Sequence, residues 1–142
     1  MLASKQKESL GPNAVRKIRV LLADDHKLLR GCLAHLLGEE PDIEVVEQAG
    51  DGREAVEMAL ATHPDVVLMD VSMPQMSGIE ATQRIKRQLP GVRVIGLSMH
   101  EEDDMADAML RAGAVAYFTK SGPSELLLEA IRNGSALVDA VS

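Results

Sequence analysis

The chain has 142 residues, of which 46% are hydrophobic and 26% charged, and its formal net charge is −7. That length suits one domain whose core is stable without staples, and the negative charge argues against a grip on DNA or an anionic membrane through a general positive field. With no Trp, one Tyr and one Phe the core falls to aliphatic side chains, and a single Cys32 permits no internal disulfide. No apolar run approaches the ~18 residues of a membrane span and no signal peptide is visible, so a cytoplasmic protein is the expectation.

Residues 1–16, MLASKQKESLGPNAVR, lack sustained periodicity and carry a Gly-Pro break, which reads as a linker or disordered arm. The run IRVLLA (18–23) predicts a first strand. Leu28, Leu29, Cys32, Leu33, Leu36 and Leu37 then mark one helical face, with Cys32 expected as a buried thiol. IEVVEQ (43–48) predicts the second strand, and Ala55, Val56, Ala59 and Leu60 the helix after it. DVVLM (65–69) predicts the third, followed by a less regular helical pattern at Ile79, Ile85 and Leu89. VRVIGL (92–97) and VAYF (115–118) predict the last two strands. Met105, Ala108, Met109 and Ala112 mark the helix between them, and Leu126, Leu127, Ala130 and Ile131 the final one. Pro123 is expected at the first position of that helix, Glu125 in its first turn and Gly134 just past its end. The domain is thus expected over 17–134, with 135–142 a tail or the start of a linker.

Strands alternating with helices in this way predict an α/β fold, a doubly wound five-stranded parallel sheet covered on both faces by five helices. Ligands of such sheets sit outside the carboxyl ends of the strands. There the first strand ends in Asp24 and Asp25, the third in Asp70, the fourth in Ser98, and the fifth runs through Tyr117 to Lys120. Any one of these alone reads as a cap, a turn residue or a solvated charge. Together they bring three acids to one rim with a single lysine against them, which calls for a divalent cation. Oxygen ligands without clustered His or Cys favour Mg²⁺.

The stretches VLLADDHKLLRGCLAHLL, DVVLMDVSMPQMSGIEATQRIK, VIGLSMH and AGAVAYFTKS resemble the motifs of the receiver domain of two-component response regulators, over about 17–133. The ADDH start and the Lys-Ser after the fifth strand are most similar to receivers of regulators with a helix-turn-helix (LuxR-type) output domain. The resemblance implies a flavodoxin-like fold and a phosphoacceptor at Asp70, which takes a phosphoryl group from a sensor histidine kinase. It implies that Asp25, Asp70 and the backbone carbonyl of Ser72 bind Mg²⁺, with Asp24 acting through a bound water. Lys120 would pair with the phosphoryl oxygens, Ser98 would hydrogen-bond to the phosphoryl group, and Tyr117 would change rotamer with it. A receiver of this kind is no enzyme beyond its own phosphorylation and dephosphorylation. It further implies a phosphorylation-dependent homodimer through the first and fifth helices, DNA contact only through an output domain outside this chain, and no membrane contact by this segment. Many receivers follow the Lys with a cis-proline; here Ser121 follows, which leaves the path of that loop open.

Two rival readings have weaker support. GDGREA (50–55) matches a dinucleotide fingerprint, but it follows the second strand and sets Asp51 against a pyrophosphate. A haloacid-dehalogenase-like phosphatase would need its nucleophile and a second acid after the first strand, whereas Asp70 lies on the third. His26, His35, His63 and His100 make no metal-binding spacing, and His100 stands out only for lying two residues after Ser98. The parent stays open among a DNA-binding regulator, which the motifs favour, a hybrid sensor kinase and a stand-alone receiver.

Overall fold

The five apolar runs read as strands all become strands of one parallel sheet. The structure, a computed structural model, describes residues 16–98 and 105–133. Residues 1–15 of the expected arm, His100, Gly134 and the tail over 135–142 lie outside the described residues. The elements are β1 (Ile18–Ala23), α1 (Lys27–Gly38), β2 (Ile43–Ala49), α2 (Gly52–Thr62), β3 (Val66–Asp70), α3 (Gly78–Gln88), β4 (Arg93–Ser98), α4 (Met105–Ala112), β5 (Ala116–Thr119) and α5 (Ser124–Asn133). The strands lie in the order β2-β1-β3-β4-β5, all pairs parallel.

The two faces of the sheet are built by the period-two alternation of the central strands. Leu21, Val67, Met69 and Val94 meet Ala55, Ala59, Ala81, Ile85 and Met109 on the side of α2, α3 and α4. Val20, Leu22, Val66, Leu68, Ile95 and Leu97 meet Leu37, Leu127, Ala130 and Ile131 on the side of α1 and α5. All five residues of β3 are buried, as a central strand covered on both sides requires.

Three corrections to the sequence reading have local causes. β3, β4 and β5 each start and end one residue later than predicted, which places Asp70 and Ser98 inside the sheet. At β3 the reason is Asp65, whose carboxylate accepts the Arg19 N–H at 2.8 Å and the Arg16 guanidinium at 3.1 Å, and so stays outside the strand. Pro123 stands one residue before the first helical residue of α5, Ser124. Cys32 is exposed, not buried. It lies about 100° round the helix from Leu33, off the flank of α1 that Leu33 and Leu37 turn to the sheet. Leu28 lies further round still and is 83% exposed.

The GDGREA stretch is a tight entry into α2. Asp51 accepts the Glu54 N–H and the Glu54 carboxylate accepts the Gly50 N–H, both at 2.8 Å, a reciprocal arrangement close to a capping box. A Cβ on Gly52 would lie 2.0 Å from the Met76 carbonyl oxygen, so this glycine lets α2 approach the loop after β3. Gly52→Ala is therefore expected to cost about 1–3 kcal/mol through overpacking. Urea unfolding measures it, and a wild-type midpoint would contradict the packing role.

Candidate functional site

The register of the strands converts separate sequence motifs into one cluster. β1 and β3 are hydrogen-bonded neighbours with Ala23 beside Met69, so Asp24 and Asp70 emerge side by side at the carboxyl edge. Asp70 pairs with Leu97 across β3 and β4, and Ser98 with Thr119 across β4 and β5. The Lys120 main-chain N–H donates to the Ser98 carbonyl at 2.7 Å, which fixes the start of the loop after β5. From there the Lys120 ammonium lies 2.8 Å from Asp24 Oδ2 and 3.2 Å from Asp70 Oδ2. Its side chain is only 6% exposed and both carboxylates are buried, so these contacts are shielded from solvent.

One ammonium does not neutralise the group. Asp25 stands beside Asp24, partly exposed, and one ligand atom each from Asp24, Asp25, His26 and Asp70 lie within 4.8 Å of one another. Burial pushes the Asp70 carboxyl up to about 6; the Lys120 ammonium works against this, and the Asp24 charge adds to it. Burial also pushes on Asp24, but hydrogen bonding to Lys120 and to the His26 N–H outweighs it and holds that carboxyl below its ordinary value. The site is short of positive charge where Asp70 ends the strand. Hard carboxylate oxygens in this number fit a Mg²⁺ ion.

The loop after Asp70 is folded back on the strand. Ser72, exposed, donates its N–H to Asp70 Oδ1 at 3.3 Å. The Gly78 N–H reaches the Val71 carbonyl at 2.9 Å, and a Cβ on Gly78 would lie 2.1 Å from the Asp70 carbonyl oxygen. Only glycine lets α3 begin this close to the end of β3. Ser98 is buried at the tip of β4. Tyr117 packs its ring over Gly96, where a Cβ would meet Tyr117 Cδ1 at 2.7 Å, and its hydroxyl is buried.

The residues predicted at the rim therefore come together, Asp24, Asp25, Asp70 and Lys120 in direct contact or near it, with Ser98 joined through the main chain and Tyr117 two pairs back along β5. Sequence reasoning missed two neighbours. His26 Nδ1 lies 3.1 Å from Asp24 Oδ1 and 3.3 Å from Asp25 Oδ1. Arg30 donates to the Asp24 carbonyl at 2.6 Å and to the Gln48 side chain at 3.2 Å, tying α1 to the end of β1. The signal for His26 was its adjacency to the acid pair, which a search for paired histidines passes over.

A family model described as the response regulator receiver domain matches residues 20–132. The chain is 44% identical over 118 residues to the transcriptional regulatory protein LiaR of Bacillus subtilis, covering 83% of this chain and 56% of that protein. Among solved structures it resembles a LuxR-family two-component response regulator from Aurantimonas sp. SI85-9A1, with TM-score 0.79, 35% identity, and coverage of 84% of this chain and 86% of that one. It also resembles the response regulator domain of Thermotoga maritima CheB, with TM-score 0.78, 39% identity, and coverage of 85% and 98%. The chain spans about half the length of the curated relatives it matches.

Asp70, raised from 3.8 to about 6, holds its proton more tightly folded than unfolded. Its contribution to stability is therefore complete below the ordinary value and lost as pH rises through the raised one. In metal-free protein, Asp70→Asn is expected to be more stable than wild type at pH 7 by on the order of 1–3 kcal/mol. The difference should close as pH falls from about 6 toward 4. Urea unfolding across that range checks it, and an Asn variant no more stable at pH 7 would contradict the charge deficit.

Proposed function

The chain belongs to the response regulator receiver domain family, and from that premise we propose that Asp70 is its phosphoacceptor and takes a phosphoryl group from a phosphohistidine of a sensor kinase. The observation that carries this is the setting of Asp70: a carboxylate at the end of a fully buried strand, 3.2 Å from a buried lysine and beside two further acids. A carboxylate oxygen attacks phosphorus in line, the bond from phosphorus to the histidine nitrogen breaks, and an acyl phosphate forms on Asp70. The rigid strand holds the nucleophile in register for that attack, so positioning and charge neutralisation supply most of the rate.

Asp25, Asp70 and the Ser72 carbonyl would hold Mg²⁺, with Asp24 acting through a bound water. The ion supplies positive charge against the oxygens of the transferred group. Lys120 already faces Asp70 and exchanges that contact for the phosphoryl oxygens. Ser98, bonded through its carbonyl to the Lys120 N–H, turns its hydroxyl to the same group, so the tips of β4 and β5 move together. Tyr117 lies on β5 over Gly96 and follows that movement. Each new contact is worth on the order of 1–3 kcal/mol, enough to shift a two-state population about tenfold.

The parent is, on this reading, a DNA-binding transcriptional regulator. Supporting it are the relatives named as transcriptional regulatory proteins, of whose length the chain spans about half. DNA contact would then belong to a separate output domain. Leu28, Leu29 and Leu126 leave apolar surface on α1 and α5, the faces through which the active form would dimerise. Among the described residues no helix is long and apolar enough to cross a membrane.

Acetyl phosphate with Mg²⁺ is expected to add one phosphoryl group to the wild type and none to Asp70→Asn, read by intact mass. Equal labelling of the two, or labelling in EDTA, would sink the assignment. The phosphoryl analogue beryllofluoride is expected to slow hydrogen exchange in α4 and β5 and to drive dimerisation in sedimentation. Lys120→Ala and Ser98→Ala should keep some label yet lose both responses; a full wild-type response in both variants would remove the proposed switch.

A further inference from the structure

His26 occupies the N-cap of α1 with extended backbone at φ −89° and ψ 95°, a place where a short polar side chain ordinarily accepts a helix N–H. Its side chain makes no such bond. The ring instead turns back over the end of β1, with Nδ1 at 3.1 Å from Asp24 Oδ1 and 3.3 Å from Asp25 Oδ1. Its own N–H is held on Asp24 Oδ1 at 2.9 Å, and Arg30 anchors the Asp24 carbonyl from the first turns of the same helix. The ring is thus set by two main-chain ties at the mouth of the acid cluster, and at 53% exposed it leaves that mouth open to ions from solvent.

We propose that His26 Nδ1 is a direct ligand of the divalent cation at this site and makes it favour first-row transition ions, Mn²⁺ and its heavier neighbours, over Mg²⁺ more strongly than carboxylates alone would. The inference rests on the reading of Asp25 and Asp70 as metal-binding. Neighbouring ligands of a six-coordinate ion with bonds of about 2.0–2.2 Å stand about 2.8–3.1 Å apart. His26 Nδ1 lies 3.3 Å from Asp25 Oδ1, and one donor atom each of Asp25, Asp70 and His26 lie within 4.8 Å of one another, so a small closing movement brings the three round one ion. Without a metal, Nδ1 donates its hydrogen to Asp24 Oδ1; a bound cation would take the place of that hydrogen, leaving the ring hydrogen on Nε2 and the Nδ1 lone pair on the ion. Imidazole nitrogen binds the later first-row divalent ions far better than it binds Mg²⁺, which prefers oxygen alone. An all-oxygen site shows this bias only weakly; one nitrogen among the donors strengthens it.

The test is Mn²⁺ bound to the full chain, in a buffer free of amines, followed by pulsed electron paramagnetic resonance and by competition with Mg²⁺. Wild type is expected to show the coupling of a directly bound ¹⁴N. His26→Asn, which keeps a good N-cap, should retain bound Mn²⁺ without that coupling, and its preference for Mn²⁺ over Mg²⁺ should fall about tenfold or more. Bound Mn²⁺ with no ¹⁴N coupling in wild type, or an unchanged preference in His26→Asn, would overturn the proposal and leave the carboxylate site standing. Mn²⁺ that fails to bind, or binds equally well to Asp25→Asn, would overturn the carboxylate reading itself and the proposal with it. Circular dichroism of each variant checks that α1 and the sheet are intact.

Discussion

One ammonium, that of Lys120, is shared between two buried carboxylates, and the rest of the rim is arranged around that imbalance. In the low dielectric of the sheet edge the contacts with Asp24 and Asp70 are strong, yet they do not offset the cost of burying both acids with Asp25 alongside. The residual is concentrated on Asp70, whose affinity for its proton rises, while Asp24 keeps its charge. A site poised in this way has two reasons to change state. A cation relieves the repulsion, and a phosphoryl group on Asp70 gives Lys120 a better partner than the carboxylate it now holds.

The fold supplies the tension by geometry. β3 is buried from end to end, so Asp70 is carried to the edge on a strand with no freedom to retreat into solvent. Gly78 brings α3 against the end of that strand, and Gly96 clears the space in which the Tyr117 ring lies. These are places where any Cβ would collide. The tie from the Lys120 N–H to the Ser98 carbonyl joins the tips of β4 and β5, so a change at the ammonium is passed to both strands.

The fold class was legible because parallel strands covered on both sides read as short apolar runs separated by helical periodicity, and each of the five runs survives in the structure. The rim residues were legible because such sheets present the carboxyl ends of their strands together. Finer features depended on contacts that periodicity does not encode. Asp65 looked like the first residue of β3 and is instead held outside it by Arg16 and Arg19. Cys32 fell on an apolar pattern, but α1 turns a narrower face to the sheet than its leucines suggest, and the thiol lies beyond that face. His26 was passed over because its partners are two acids next to it in the chain, brought to bear by the local turn into α1.

The charge state of Asp70 reports the imbalance at the rim most directly. A pH titration of its side-chain carboxyl carbon by ¹³C nuclear magnetic resonance, in metal-free protein and again with saturating Mg²⁺, measures it directly. The predicted result is a midpoint raised to about 6 without metal, driven well down when Mg²⁺ is added. A midpoint at the ordinary carboxylate value in metal-free protein, or one that Mg²⁺ leaves unmoved, would contradict the shared-lysine imbalance on which the site has been built.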